Sequence, residues 1–418
     1  MANLFAVTDL VAKESLRIAH EKLQFIGTVD RQYDASFKSS GSATPHGATL
    51  RVKSPNRYIR RQGSRVMDVQ DQAEATQTIT VATQDGVDMR FNSAELIQSV
   101  DNDGGFDALS RKYIEPAVAA LCSGIESDFI ALATKATYNV AGTAGTALTD
   151  LVAVGAARAK LNQYLAPKDG MRYIQCDSVA MGGMVNGLKG LFQDSAQIKE
   201  QYREGMLGRT AMADWYENDR MWTMTNGSDV TGTTDAAALV TDGGSIVEFD
   251  GTIAVTAQVV GQVFTIAGIY ACHPETKAAY PHLQQFTITA IGATSTTVSP
   301  AFYLTGPKKN VVSSTGGTLL TTDFNTKTLT FVGAASTGYV QQLMYHRDAY
   351  QFVTADLPVL DDAQRCVLRG PAAGDKGNLS IRVWMGSDIR NDELLMRLDI
   401  LYGMAALRPE WGCRVVGA

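Results

Sequence analysis

A chain of 418 residues with 45% hydrophobic and 19% charged side chains carries enough apolar material for a sizeable core, which excludes a disordered or low-complexity protein. Its formal net charge of −6 excludes a dedicated nucleic-acid binder, whose footprint is basic. Five cysteines (Cys122, Cys176, Cys272, Cys366, Cys413) stand far apart with no CxxC, so they read as reduced, buried thiols and not as a disulfide framework.

The opening MANLFAVTDLVAKESL has no basic n-region, and Asp9 interrupts its apolar run, so no signal peptide is expected. No run of about 18 apolar residues stands out, so no membrane span is expected either. Residues 8–24, TDLVAKESLRIAHEKLQ, predict a polar, amphipathic helix. Thr8 is placed to cap it, and Glu14/Arg17 and Arg17/Glu21 stand at helical contact spacing. Its charge fits an arm packing on something else, taken here as 1–45.

Over 46–85 the strand patterns ATLRV (48–52) and TQTITVAT (76–83) bracket a polar excursion, KSPNRYIRRQGSRVMDVQDQAEA. Structureless loops beyond about 12–15 residues are uncommon and usually functional. The first half is basic (Arg57, Arg60, Arg61, Arg65) and the second acidic (Asp68, Asp71, Glu74). That split suits a loop lying across a neighbouring subunit, each sign facing its complement; a solvated surface loop and a DNA contact are the other readings. Asp85-Gly86 predicts a hairpin turn, and Asn92 with Glu95 a capping box.

Phe106, Leu109, Tyr113, Ala117, Leu121, Ile125 and Phe129 recur at spacings of three and four. They predict a helix over 106–137 long enough to serve as a spine, with Pro116 kinking it or marking its real start. A Gly/Ala/Thr loop (141–149), a helix capped by Asp150, the strand MRYIQC (171–176) and a helix over 178–192 follow. Residues 86–140 and 141–225 therefore read as α+β. Over 226–345 the composition turns to Thr, Gly, Val and Ala, and IAVTAQV, VFTIAGIYA, QFTITAIGA, TTVSPAF and TLTFVGA recur. They predict a small β-barrel or sandwich with Phe264 and Phe286 in its core. The α+β character resumes at Met344 and runs through 346–418 in strands and a turn, so 226–345 reads as an insertion.

Chemistry is sparse. In EGMLGRTAMADWYENDRM (204–221), Asp214, Glu217 and Asp219 are local neighbours and not the opposed carboxylate pair a glycosidase needs. Gly205 and Gly208 fit turn positions, with Trp215 and Tyr216 as anchors. His20, His46, His273, His282 and His346 are scattered, and Cys272-His273 would point to opposite strand faces. No catalytic residues, metal site or cofactor are expected, and the protein reads as a non-enzyme.

Several stretches carry a likeness: YREGMLGRTAMADW (202–215), GQVFTIAGIYACHPET (261–276), LQQFTITAIGATSTTVSPAFY (283–303), MYHRDAYQFVTADLP (344–358) and LDILYGMAALRPE (398–410). Together with the order of parts, they resemble major capsid (coat) proteins of tailed phages with the Hong Kong 97-type fold. Within that group they resemble the short-tailed Salmonella-phage coat family, which carries an inserted β-barrel. The likeness covers most of the chain from about residue 100 and is weaker before it. It implies an N-terminal arm, an extended E-loop, a P-domain with a spine helix, and an A-domain bearing the insertion.

It further implies self-assembly into pentamers and hexamers of an icosahedral virion capsid around double-stranded DNA held without specific binding. Assembly would take place in the host bacterial cytoplasm, with scaffolding and portal proteins as partners and a decoration protein as a further one. The segment 204–221 is then a structural turn into the insertion. The alternatives are an encapsulin-like nanocompartment shell and a carbohydrate-active enzyme with a β-sandwich module.

Overall fold

The computed structural model describes residues 11–19, 23–33, 49–63, 65–67, 69–70, 74–92, 110–188, 208–235, 240–250, 253–357, 364–371, 378–388 and 390–417. In chain order the strands are β1 (Thr49–Lys53), β2 (Thr76–Thr80), β3 (Thr83–Asn92), β4 (Val140–Gly142), β5 (Arg172–Cys176), β6 (Arg209–Thr210) and β7 (Ala213–Glu217). There follow β8 (Thr223–Thr225), β9 (Thr231–Thr233), β10 (Gly244–Glu248), β11 (Val263–Cys272), β12 (Ala279–Ile291), β13 (Ser295–Phe302), β14 (Val311–Val312) and β15 (Thr328–Phe331). Last come β16 (Gly338–His346), β17 (Tyr350–Ala355), β18 (Gln364–Pro371), β19 (Asn378–Asp388), β20 (Glu393–Ala406) and β21 (Gly412–Val416). Helices span 11–19, Glu115–Ala136, Leu151–Gln163 and Ser178–Leu188. The fold is mixed α+β with strands predominating. It divides into two compact units, one drawing on 1–52, 77–129 and 350–405, the other on 53–76, 130–349 and 406–418.

The first unit is built on the sheet β17-β20-β19-β18, with β3 also pairing β20. The Asp85-Gly86 hairpin expectation is corrected here: β3 runs unbroken from Thr83 opposite Tyr402 to Asn92 opposite Glu393. Gly86 sits mid-strand because a Cβ there would meet Asp399 Oδ1 at 2.5 Å and Leu398 O at 2.7 Å. The fully buried Asp399 fills that space and accepts from Arg382 Nη2 (2.5 Å) and Arg397 Nε (2.7 Å). A buried carboxylate is tolerable only with such partners.

Helix Glu115–Ala136 follows a π-helical turn, Ser110–Ile114. Pro116 thus lies just past the junction of the π-helical turn and the α-helix, inside one continuous helical run, where a residue without an N–H suits the change of hydrogen-bond register. Leu121, Ile125 and Phe129 are buried as the periodicity requires, whereas Tyr113 is exposed. By length and composition residues 112–136 suffice to cross a membrane, contrary to expectation; half of the apolar window is buried inside the protein. Phe129 packs on Phe25 (4.9 Å) and Phe352 (5.7 Å), which stacks on Tyr402. The Glu14–Arg17 pair forms in helix 11–19. Thr8, Glu21, Glu95, Phe106 and Leu109 lie outside the described residues.

In the second unit the sheet β4-β21-β16-β5-β7-β6, with β8 on β16, carries helices Leu151–Gln163 and Ser178–Leu188 on one face. Asp150 caps the first by accepting from Val152 N. Val154, Ala157, Leu161, Met181 and Met184 pack there on Ile174, Trp215, Met344 and Cys413. A second sheet, β10-β13-β12-β11-β15-β9, encloses Phe249, Phe264, Phe286, Phe302, Phe324 and Phe331. Its outer strands meet through the Thr234–Phe249 bridge, with Asp250 N donating to Thr233 O at 2.9 Å, so the sheet closes as a barrel and leaves no long free edge.

The expected strand IAVTAQV is a short 3-10 turn, Val255–Ala257, beside the barrel. Residues 338–345 belong to β16, which pairs β21 and β5 in the mixed sheet, so the barrel segment ends several residues before 345. Strands β8 and β16, which flank it in the chain, pair with each other from Thr223–Val340 to Thr225–Gly338.

The seam between barrel and mixed sheet is polar. Gln285 of β12 accepts from Val140 N (2.8 Å) and donates to Val140 O (3.2 Å), acting as a strand neighbour for the outer edge of β4. Lys160 Nζ adds bonds to Val140 O and Gln285 Oε1, both 2.5 Å, and burial pushes its ammonium pKa down. Fully buried Arg414 donates to Thr137 O (2.7 Å), Gly261 O (2.7 Å) and Thr287 Oγ1 (3.1 Å).

Candidate assembly interface

The excursion between β1 and β2 is a paired arm. Beyond the β1–β2 ladder, Ser54 N donates to Ala75 O at 2.8 Å. Further out, Gln70 bridges both backbone groups of Ile59, accepting from its N–H (2.8 Å) and donating to its carbonyl (2.6 Å). Near the tip Arg61 donates to Val66 O. Lys53 and Glu74 form an exposed ion pair at 2.6 Å, worth about 0–1 kcal/mol.

Arg57, Arg60, Arg61 and Arg65 are all exposed along this arm, as is Glu74; Asp68 and Asp71 lie outside the described residues. The arm also displays apolar side chains: Val66 is 76% exposed, Met67 78% and Val69 77%, with Tyr58 and Ile59 also exposed. Reading the loop by charge missed this. The signal was present in the run RVMDV (65–69), whose apolar residues were masked by the charges around them.

The root of the arm faces a carboxylate. Arg57 Nη2 lies 3.8 Å from Glu410 Oε1. Burial pushes the Glu410 carboxyl above its usual range, opposed by Arg57 and Arg408. Burial, then Tyr164 and Glu410, raise the neighbouring Tyr138 phenol well above its ordinary value. Glu410 sits in the 3-10 turn Pro409–Trp411. That turn is fixed by Asn139 Nδ2 donating to Glu410 O (3.2 Å), by Trp411 Nε1 donating to Tyr164 O (3.1 Å), and by Arg408 over the Trp411 ring (4.2 Å).

The stretch 208–217 is a tight hairpin of β6 and β7. Gly208 adopts φ +60°, and its carbonyl accepts from Trp215 N at 3.2 Å. Buried Trp215 donates Nε1–H to Thr210 O (3.1 Å). Gly205 lies outside the described residues. The two turn residues themselves are Ala211 (φ 58°) and Met212 (φ 66°), a left-handed pair where Asn-Gly is the usual solution. Each non-glycine there costs about 1–2 kcal/mol. With no glycine at either position, the turn was invisible to composition. Arg209 staples it through Asp214 (3.1 Å) and Gly170 O (2.9 Å).

Asp214 is therefore paired with Arg209, and Asp219 accepts from Ser178 Oγ. Among the described residues no group of three His, Cys, Asp or Glu could hold a metal ion. His346, buried, contacts Asp169 at 3.1 Å through Nε2 and accepts from Asp348 N through Nδ1. Burial pushes the Asp169 carboxyl up, but the Met171 N–H and His346 outweigh it and hold it below the usual carboxylate range.

No protein-family model matches the chain, and no curated protein matches it. Among solved structures it is similar to a chain from Mycobacterium phage Che8, at 11% identity over 94% of this chain and 90% of that one, with a TM-score of 0.48. It is also similar to the capsid of cyanophage P-SCSP1u (11% identity, 92% and 87% covered, TM-score 0.43). A virus-like particle from Pyrococcus furiosus is similar at 8% identity, 98% and 99% covered, with a TM-score of 0.39. These likenesses span nearly whole chains at TM-scores below 0.5, so the functional reading rests on this chain's own sequence and geometry.

Proposed function

We propose that this chain is the major capsid protein of a tailed phage, assembling as pentamers and hexamers of an icosahedral shell around double-stranded DNA. The observation that carries the reading is the arm. A cross-braced excursion beyond β1 and β2 that leaves Val66, Met67 and Val69 open to water beside Arg60, Arg61 and Arg65 is built to meet another surface. The whole chain of 418 residues is acidic, with net charge −6, which makes a second copy an electrostatically suitable partner for the arginines. Arg57, Arg60, Arg61, Arg65, Asp68, Asp71 and Glu74 are the contact residues in this reading.

The order of elements supports it. Arm, long helix, mixed sheet with two helices and barrel follow one another as the Hong Kong 97-type resemblance implies. That β8 and β16 lie side by side supports reading 226–345 as an inserted domain whose barrel ends before β16 begins, with Gly205, Gly208 and Trp215 shaping the approach to it. Residues 1–45, 46–85, 86–140, 141–225 and 346–418 take the roles of N-arm, E-loop, P-domain, A-domain and its return. Scaffolding, portal and decoration proteins are the partners of such a shell, which would be built in the host cytoplasm.

Negative-stain microscopy and sedimentation of the purified full-length chain test this. Large closed particles are expected, and a discrete monomer or dimer overturns it. Particles filled with protein cargo and no DNA during infection would favour the nanocompartment reading instead. Arg60→Glu/Arg61→Glu is expected to keep the circular dichroism of the subunit and lower particle yield, more so at low salt, where screening is weak.

A further inference from the structure

The arm is stiff along its length, yet little in it fixes where it points. Its ties at Ser54–Ala75, Ile59–Gln70 and Arg61–Val66 all join one half of the arm to the other. Among the described residues one ion pair leads from it to the rest of the second unit: Arg57 to Glu410, 3.8 Å. Glu410 stands on a fixed platform. Its own carbonyl is held by Asn139, the next residue, Trp411, is bonded to Tyr164 O, and Arg408 lies against the Trp411 ring. Its side chain is one-quarter exposed, against 43% for Arg57, so the pair joins the exposed arm to a fixed part of the same unit.

A second charge near Arg57 acts in the opposite sense. Lys277, on the turn between β11 and β12, repels it. That ammonium is held in place by Pro274 O (2.7 Å) and Pro307 O (2.5 Å). The attraction of Glu410 for Arg57 therefore acts against this repulsion in holding the arm root.

We infer that Arg57–Glu410 is a latch that holds the arm's root against the subunit body, and that breaking it frees the arm to bend away from the body and enter a protease's cleft. The inference deepens the shell reading by assigning how the contacting arm is aimed, and it rests on that reading for its purpose. Its test does not, because it is made on unassembled subunits.

Trypsin cleavage after Arg60, Arg61 and Arg65 is followed by mass spectrometry for wild type, Arg57→Gln, Glu410→Gln and the double variant, each first checked for an unchanged thermal midpoint. An ion pair of this exposure is worth up to about 1 kcal/mol. Each single variant is therefore expected to be cleaved about two- to five-fold faster, and the double no faster than either single, since both remove one interaction. Wild-type cleavage rates in either single variant overturn the latch, as do multiplied effects in the double. If the singles speed cleavage but the protein forms no shells under any condition, the latch stands and the shell reading falls.

Discussion

The barrel and the arm spend apolar residues in opposite ways. In the barrel, Phe264 is fully buried and in ring contact with Phe249 (5.7 Å), Phe286 (6.0 Å) and Phe331 (5.3 Å). On the arm, Val66, Met67 and Val69 touch mainly water. The barrel is strand-paired throughout, whereas the arm beyond β1 and β2 is held by scattered ties at Ser54–Ala75, Ile59–Gln70 and Arg61–Val66. The barrel strands close on themselves and make an inside, whereas the arm does not close and has none. An apolar residue on an unclosed ribbon is a statement about a partner.

The largest effect should come from the barrel core. Phe286→Ala, which leaves a cavity beside Phe264 and Phe302, is expected to cost about 3–5 kcal/mol in chemical denaturation. A loss under about 1 kcal/mol would break the contrast with the arm.

Next comes the seam. Gln285→Ala removes a partner from Val140 N, Val140 O and Lys160 Nζ together. The expected loss is about 1–3 kcal/mol, the cost of leaving buried polar groups unmatched, read by the same denaturation. A neutral result would mean the groups regain water.

On the arm, Val66→Ser/Met67→Ser/Val69→Ser should change subunit stability by no more than about 0.5 kcal/mol, as surface changes do. It should still reduce particle yield several-fold in sedimentation. Lost stability would show that these residues have an intramolecular role.

The smallest effect lies between these extremes, at the half-exposed Asp169. Its folded pKa is depressed, so its contribution is present above the unfolded carboxylate value of about 4 and is lost as pH falls through the folded value below it. Asp169→Asn should therefore be less stable than wild type at pH 7, with the gap closing toward pH 3. A gap independent of pH would locate the effect in shape and not in charge.

Local chemistry made much of this protein legible. Asp150 had to cap a helix, because its carboxylate reaches the free Val152 N–H. Leu121, Ile125 and Phe129 had to share a buried face, because a helix repeats every 3.6 residues. The strands Val263–Cys272, Ala279–Ile291 and Ser295–Phe302 showed in their β-branched and aromatic runs. The arm was legible as an arm and misjudged in its chemistry, since exposure of Val66, Met67 and Val69 depends on what fails to cover them.

Other features depended on residues distant in the chain. Gly86 looked like a turn until Asp399 occupied the space a side chain would need. IAVTAQV had a strand's composition but found no open edge to join. Ala211 and Met212 take left-handed backbone because Arg209, Asp214 and Trp215 hold the hairpin around them. The meeting of Arg57 with Glu410 could not be read at all. Sequence by itself determined where the helices and most barrel strands begin, because those local forces act over a few residues. Which surfaces close, and which charges meet across hundreds of residues, was decided by tertiary packing, because burial and Coulomb energy depend on distance in space.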